Sequence, residues 1–283
     1  MNISPILDSV IRTAERNATK NPGDFTDPKT GLLMCGNCKT PKQTKLHISD
    51  LDRLVPCMCR CDQERAEREQ REQEERERQR RITLRRAACF GRGNRKAGFT
   101  FAADDGKDAI MARMARNYVE HFPEMKQRGK GLLFLGPTGT GKTFFACAVA
   151  NALIDRGYTA RVTTFANIAS ELQSSYDKSE VYTELNNCDL LVLDDLGTER
   201  GTSYMEEIIF TVIDDRCTIK KPLIVTTNLM PEDLNKTTDM TRRRIFSRLK
   251  ELCIFIPVAG ADRRQEEMAN SVAADMALLL GET

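Results

Sequence analysis

The chain has 283 residues, a length that allows one to two domains at about 150 residues each. Its formal net charge is +2, so nucleic-acid binding cannot be argued from the overall charge and requires a local basic patch. No stretch approaches the roughly 18 consecutive apolar residues of a membrane span, and the first 20 residues mix charged with apolar side chains, unlike a signal peptide. We expect a cytoplasmic protein that has no membrane partner and keeps its cysteines reduced.

The N-terminal part, residues 1–61, combines a helical pattern with turn-forming segments and five of the ten cysteines. These five form a C-x2-C pair and, after an eighteen-residue gap, a second group: Cys35, Cys38, Cys57, Cys59 and Cys61. Such an arrangement matches the four thiolates of a tetrahedral Zn²⁺ site, and a metal compensates for a missing hydrophobic core. We predict structural zinc held by four of the five, with His47 as a less favoured substitute. Reduced thiols that bind no metal are the alternative.

A charged run occupies residues 62 to about 86 and contains neither Gly nor Pro. Its Glu and Arg residues recur at a spacing of four, which adds about 0.2–0.5 kcal/mol per pair to a helix. No apolar seam of the kind found in coiled coils runs along residues 62–81. We predict that residues 62–97 form a charged helical linker; a nucleic-acid-binding arm is the alternative.

Five apolar segments alternate with helical spans in residues 98–265, and residues 266–283 form a tail. The predicted strands cover residues 131–135, 160–165, 189–194, 222–227 and 252–258. Near-continuous apolar strands separated by helices indicate a parallel sheet covered on both faces. The predicted fold is therefore a doubly wound α/β domain with a five-stranded parallel sheet.

A glycine-rich loop, GPTGTGKT, joins the first of these strands to a helix. A strand, a glycine-rich turn and a helix N-terminus together form a phosphate-binding loop, so we predict ATP as the ligand. The Lys142 ammonium would reach the β- and γ-phosphates, and the Thr143 hydroxyl would ligate Mg²⁺. The predicted nucleotide-binding residues are Gly136, Pro137, Thr138, Gly139, Thr140, Gly141, Lys142 and Thr143.

Polar residues follow the third and fourth strands. Asp194 and Asp195 end the third strand, and Asn228 ends the fourth. Ligands bind beyond the carboxyl ends of parallel strands, so both acids are expected to face the phosphates. Asp194 would hold Mg²⁺, Asp195 would polarise the attacking water, and Asn228 would position that water if its strand lies beside the phosphate-loop strand. A turn or helix cap is the alternative for each.

A basic helix is predicted over residues 241–250, with Arg244 and Arg248 on one face. One of these arginines could reach the γ-phosphate of a neighbouring subunit as an arginine finger. A solvated basic face, or one that contacts DNA phosphates, is the alternative.

Several motifs, taken in order and spacing, resemble the AAA+ ATPase domain of DnaC-type helicase loaders and their IstB-like relatives. They are GPTGTGKT, LLVLDDLG at 190–197, IVTTNL at 224–229, RIFSRL at 244–249 and GADRR at 260–264. The likeness extends upstream to the cysteine segment and to residues 99–106, so it covers most of the chain. It implies the AAA+ fold and a slow, regulatory ATPase, since a second carboxylate as short as Asp195 would hold the catalytic water less closely.

The resemblance also assigns roles to individual residues. Asn228 matches the first sensor and Arg248 the arginine finger, while Arg264 is similar to the second-sensor arginine. The neighbours Arg244 and Arg263 compete for the last two roles. In the cysteine segment, Cys59 and Cys61 match the loader-like pattern best.

The function implied by the resemblance is that of an ATP-dependent helicase loader in DNA replication. Its partners would be the replicative DNA helicase, held by the zinc-bearing domain, single-stranded DNA, and further copies of the chain in a homo-oligomer formed on ATP binding. Basic patches at residues 92–96 and 220–221 are candidate DNA contacts. The alternatives are an IstB-like ATPase helper of transposition and a nucleotide-dependent scaffold with negligible hydrolysis.

Overall fold

The computed structural model describes residues 21–48, 51–197, 202–230 and 240–263, together with positions 272, 275, 276, 279 and 280. The helical pattern predicted near the N-terminus lies outside the described residues, as does Arg264. The chain divides into two compact units, Met1–Arg80 and Arg81–Thr283. Within the described residues, no helix has the length and apolar character needed to cross a bilayer.

The first unit contains two small antiparallel pairs of strands. These strands are β1 (Phe25–Thr26), β2 (Leu33–Met34), β3 (Gln43–Ile48) and β4 (Leu51–Pro56). β1 pairs with β2, and β3 pairs with β4. Cys35 follows the last residue of β2, and Cys57 follows the last residue of β4, so both cysteine groups begin where a strand ends.

The predicted charged run lies within one long helix, α1, which spans Arg60–Phe90. The guanidinium of Arg76 lies 3.5 Å from the Glu72 carboxylate at the predicted spacing of four. Both side chains are more than half exposed, so solvent screening leaves such a pair little net stabilisation. Near the end of the helix, by contrast, Ile82 and Phe90 are buried.

The second unit begins with 3-10 turns at Arg95–Gly98 and Phe101–Ala103, and strands then alternate with helices. Its elements are α2 (Ala109–Glu120), α3 (Phe122–Arg128), β5 (Gly131–Leu135), α4 (Lys142–Asp155), β6 (Ala160–Thr164), α5 (Phe165–Ser174), α6 (Lys178–Asn187), β7 (Leu190–Leu196), α7 (Ser203–Thr218), β8 (Leu223–Thr227), α8 (Met240–Leu252) and β9 (Cys253–Pro257). The strands form one parallel sheet in the order β6-β7-β8-β5-β9. The predicted doubly wound α/β fold with five parallel strands is therefore confirmed.

Helices cover both faces of this sheet. On one face, α2 and α4 pack against the strands through side chains that include Tyr118 and Leu153. On the other face, α5, α7 and α8 do so through Phe165, Ile213 and Leu249. All five residues of β5 are buried, as expected for an interior strand with helices on both faces of the sheet. The carboxyl ends of β5, β7 and β8 consequently meet at one edge of the sheet.

Candidate nucleotide site and cysteine cluster

A cavity of about 670 Å³ opens at this carboxyl edge, within the range of about 300–1,000 Å³ typical of small-molecule sites. Residues from five segments of the second unit line it, including Thr138–Phe144, Asp194, Asp195, Asn228, Arg263, Arg95, Lys96 and Phe99. The structure thus brings the predicted phosphate loop, the two predicted carboxylates and the predicted water-positioning amide to one place. These groups are as much as 90 residues apart in the sequence, from Thr138 to Asn228.

The phosphate loop requires glycine at its start. Gly136 has a φ of 142°, and a Cβ at this position would lie 2.0 Å from the carbonyl oxygen of Val258. A larger residue would therefore push the loop away from the segment that follows β9. The loop ends at Gly141, and α4 begins at Lys142 with its N-terminus towards the loop. The partial positive charge of that helix end suits a bound phosphate.

The Lys142 ammonium is buried inside the loop. It donates to the carbonyl oxygens of Gly136 at 2.8 Å and Pro137 at 2.5 Å. The following residue, Thr143, donates its hydroxyl to Asp194 Oδ1 at 2.8 Å. A hydroxyl and a carboxylate in contact provide the oxygen donors that Mg²⁺ prefers, so these two residues fit the predicted metal site.

Asp194 is buried, with only 2% of its surface exposed. Besides Thr143, the hydroxyl of Thr226 donates to its Oδ1 at 2.6 Å, and the ammonium of Lys96 donates to its Oδ2 at 2.7 Å. Neither Thr226 nor Lys96 was predicted as a site residue. Lys96 belongs to the basic patch 92–96, which the sequence indicated only as a candidate DNA contact, and no sequence motif connects it with Asp194.

Asp195 adopts a left-handed backbone conformation, with a φ of 63°, which is uncommon for a residue other than glycine. It lies where the pairing of β7 with β8 shifts register, between Leu193 and Leu196. Its backbone N–H donates to the Thr226 hydroxyl at 2.9 Å. This conformation sets Asp195 apart from the regular strand, and Asp195 lines the cavity together with Asn228.

The position of Asn228 follows from the strand order. β8 lies directly beside β5, with Leu135 paired to Thr227, so Asn228 follows β8 next to the start of the phosphate loop. This neighbourhood is the one that the prediction for Asn228 required. The proximity comes from the parallel pairing of two strands almost a hundred residues apart.

Arg248 lies on α8 and is not among the residues that line the cavity of its own chain. Its guanidinium pairs with Asp214 at 2.7 Å and with Glu251 at 3.1 Å, and 41% of its side chain is exposed. Arg244 lies over the ring of Phe210, with 4.2 Å between the guanidinium carbon and the ring centroid. Both predicted arginine-finger candidates therefore contact α7 or α8 of their own subunit.

Arg263 does line the cavity. Its backbone N–H donates to the carbonyl oxygen of Gly139 at 3.0 Å, and its guanidinium pairs with Asp105 at 2.9 Å. The segment after β9 is thus attached directly to the phosphate loop. Arg264, which the resemblance favoured for this side of the site, lies outside the described residues.

Four of the five clustered cysteines meet in the first unit. The sulfur atoms of Cys35, Cys38, Cys59 and Cys61 all lie within 4.8 Å of one another. Two of the separations are 3.5 Å and 3.3 Å. Zn–S bonds of about 2.3 Å in a tetrahedron place sulfurs about 3.8 Å apart, so this group fits a zinc ion. The fifth, Cys57, is exposed and contacts the carbonyl oxygen of Pro41 instead.

A hydrogen bond favours the thiolate form of Cys38, the form that binds metal. The Thr40 hydroxyl contacts the Cys38 sulfur at 3.0 Å, and this bond is the main cause that lowers the pKa of Cys38 to about 5. Burial instead raises the pKa of Cys59. A bound cation would favour the thiolate at all four sulfurs. His47, the less favoured ligand, lies on β3 and contacts Asp52 outside the group of four.

Comparison with known proteins places residues 42–271 in a family described as IstB-like ATP binding protein. The replicative helicase loader DnaC of Escherichia coli K12 is 31% identical over 141 residues, which cover 48% of this chain and 55% of that protein. The replicative helicase loader DnaI of Bacillus subtilis 168 is 28% identical over 182 residues, covering 59% and 58%. The chain thus spans little more than half the length of the curated relatives that it matches.

A crystal structure of the DnaC helicase loader resembles the chain with a TM-score of 0.51 and 25% identity. The match covers 58% of this chain and 99% of that one. Because almost all of the solved domain is matched, the similarity concerns a complete α/β unit rather than the phosphate loop alone.

Proposed function

We propose that this chain, which belongs to the IstB-like ATP binding protein family, is an ATP-dependent loader of a replicative DNA helicase. Its sheet and phosphate loop make the second unit a P-loop ATPase of the AAA+ class. The observation that carries the loader function is the similarity to two proteins named replicative helicase loaders, from E. coli and B. subtilis. By the family resemblance, the four-cysteine cluster favours the loader over a transposition helper.

ATP would bind in the cavity with its phosphates on the loop 136–143. Lys142 would leave the loop carbonyls and donate to the β- and γ-phosphates, while Thr143 and Asp194 hold Mg²⁺, which neutralises charge on the phosphates. Asp195 would polarise the attacking water, and Asn228 would orient it as the first sensor. Supporting these roles, Lys142, Asp194, Asp195 and Asn228 share one cavity.

Hydrolysis would require a second copy of the chain. Arg248 would act as the arginine finger towards the ATP of a neighbouring subunit, with Arg244 as its competitor, and Arg264 would be the second sensor, with Arg263 beside it. The surface position of Arg248 on α8, away from its own cavity, supports a role between subunits in a homo-oligomer formed on ATP binding.

The remaining parts of the chain would bind the helicase and connect it to the ATPase domain. Residues 1–61 would form a zinc-binding domain that holds the helicase, with Zn²⁺ on Cys35, Cys38, Cys59 and Cys61. Of the predicted linker 62–97, residues 62–80 would connect the two domains. Residues 81–97 would instead belong with the ATPase domain 98–265, because Ile82 and Phe90 join its core. Residues 266–283 would form a tail. The ATPase domain would contact single-stranded DNA weakly, in a salt-sensitive and sequence-independent way.

Co-purification with the replicative helicase tests this proposal. We expect the full chain to retain the helicase, and the complex to respond to ATP. Lys142→Ala should lose ATP binding, because a charge-assisted contact with the phosphates disappears, and with it the response to ATP. Lys178→Ala removes an exposed lysine far from the loop in sequence and should behave as the unmodified chain.

Two outcomes would contradict the proposal in different ways. Normal ATP affinity in Lys142→Ala would refute the nucleotide site. Capture of a transposase in place of the helicase would instead select the alternative function, an IstB-like helper of transposition.

A further inference from the structure

The buried carboxylate of Asp194 is held by a lysine that has no role in the proposed hydrolysis. Lys96 Nζ lies 2.7 Å from Asp194 Oδ2, while Thr143 and Thr226 both donate to Oδ1. The side chain of Lys96 is 28% exposed and that of Asp194 only 2% exposed. Removal of a carboxylate from water costs free energy, and an adjacent cation offsets part of that cost.

Contacts on both sides fix the segment that carries Lys96. Before it, Asn94 accepts from the Lys96 backbone N–H at 3.0 Å and donates to the Phe90 carbonyl oxygen at 2.9 Å. After it, the carbonyl oxygen of Phe99 accepts from the buried amide of Asn151 at 2.9 Å. The short 3-10 turn is thus attached to the end of α1 and to α4. These attachments fix the backbone position from which the Lys96 side chain contacts Asp194.

Lys96 also borders the cavity that contains the phosphate loop. The same carboxylate and the Thr143 hydroxyl form the oxygen pair that fits Mg²⁺. An ammonium in contact with Oδ2 neutralises the charge that would attract the metal, and two cations at one carboxylate repel each other.

We propose that Lys96 is the counter-ion of Asp194 in the nucleotide-free protein and that it competes with the divalent metal for this carboxylate. The nucleotide resolves the competition, since its phosphate oxygens give the displaced ammonium new acceptors within the same cavity. Metal without nucleotide offers Lys96 no such acceptors and therefore binds weakly. This inference rests on the proposed nucleotide site and is independent of the helicase.

Binding of Mn²⁺ to the full-length, nucleotide-free protein, followed by electron paramagnetic resonance, tests the competition directly. Lys96→Gln removes the charge but keeps an N–H donor for Asp194, which protects folding. We expect this variant to bind Mn²⁺ on the order of tenfold more tightly than the unmodified chain. Lys96→Arg keeps the cation and should match the unmodified chain.

Arg95→Gln is the matched control. Arg95 lines the same cavity and carries the same charge, but its guanidinium lies over the Phe99 ring, with 5.8 Å between the guanidinium carbon and the ring centroid. We expect its Mn²⁺ affinity to change less than that of Lys96→Gln, because it makes no direct bond to Asp194. Equal gains in both variants would show a general charge effect and overturn the specific role of Lys96.

Unchanged or weaker Mn²⁺ binding in Lys96→Gln would also overturn the inference. A fluorescent ATP analogue, added with saturating Mg²⁺, separates this failure from that of the proposed site. If the unmodified chain binds the analogue and Lys96→Gln gains no Mn²⁺ affinity, only the role of Lys96 is wrong. If the unmodified chain binds no analogue, the nucleotide site itself is wrong, and this inference with it.

Discussion

Asp195 lines the cavity in a backbone conformation that residues other than glycine rarely adopt. Its φ of 63° costs energy in any residue with a Cβ, although Asp and Asn tolerate this region better than most. The conformation is maintained by the shift in register between β7 and β8 and by the bond from its N–H to Thr226. Strain of this kind is concentrated at functional sites, which agrees with the catalytic role proposed for Asp195.

Replacement of Asp195 by Asn isolates this role. Asn accepts the same backbone conformation, so we expect ATP affinity and the free energy of unfolding to stay close to those of the unmodified chain. ATP hydrolysis should fall by about 10²–10⁴-fold, the usual contribution of a general base. Phosphate release measures the turnover, and titration with a fluorescent ATP analogue measures the affinity.

Glu180→Gln provides the control, since it removes an exposed carboxylate in the first turn of α6. Its turnover should equal that of the unmodified chain. Undiminished turnover in Asp195→Asn would exclude Asp195 from the hydrolytic step.

At the scale of elements, α1 is exposed to solvent over most of its length and buried near its C-terminal end. Between residues 62 and 81 its side chains, apart from Ala66, are charged or polar and mostly exposed, whereas Ile82, Cys89 and Phe90 belong to the core of the second unit. Arg86 adds polar contacts, at 3.2 Å to the Asn151 amide oxygen and 2.6 Å to the Asp155 carboxylate on α4. The last turns of the helix are therefore part of the second unit.

Truncation of Ile82 tests that packing. The side chain is 7% exposed, so Ile82→Ala should reduce the free energy of unfolding of the second unit by about 2–4 kcal/mol. Leu84 is 59% exposed two residues further on, and Leu84→Ala should cost less than about 0.5 kcal/mol.

Tyrosine fluorescence during urea unfolding gives a specific signal for this comparison. All five tyrosines lie between residues 118 and 204, and the chain has no tryptophan. The signal therefore reports on the second unit alone. Equal stability of the two variants would contradict the packing of α1 into this core.

At the scale of the whole molecule, the two units are stabilised by different means. The second has a continuous hydrophobic core on both faces of its sheet. In the first, strands β1 and β2 have only two residues each, and Cys35 and Cys59 of the cysteine cluster are the buried side chains found among its described residues. A small unit of this kind is expected to depend on metal for its fold.

Zinc removal should therefore affect the units unequally. We expect about one equivalent of zinc in the purified full chain, and its loss in Cys35→Ser/Cys38→Ser because two of the four thiolates disappear. Elemental analysis measures the metal. ATP binding and tyrosine fluorescence, which report on the second unit, should persist.

Cys57→Ser is the matched variant, because Cys57 lies outside the group of four sulfurs. It should retain the full equivalent of zinc. Loss of zinc from Cys57→Ser, or a folded first unit without metal, would refute the assignment of ligands.

Local sequence was sufficient for much of the fold. The predicted strand 131–135 agrees with β5 to the residue, and the third predicted strand, 189–194, corresponds to β7 at Leu190–Leu196. Strands buried on both faces are apolar throughout, and this signal requires no knowledge of neighbours. The predicted strand ends two residues before β7 does, because the pairing beyond Asp194 passes through a register shift that depends on β8.

Groups that are adjacent in the chain could be identified without a structure: the loop from Gly136 to Thr143, the acids that end a buried strand, and the helix rich in Glu and Arg. Which of these groups meet in space depends on how the chain folds. The pairing of Lys96 with Asp194 joins residues 98 positions apart, and the choice of four sulfurs over Cys57 depends on where two hairpins end. Such contacts arise from strand order and backbone direction, which are properties of the folded chain and leave no local pattern in the sequence.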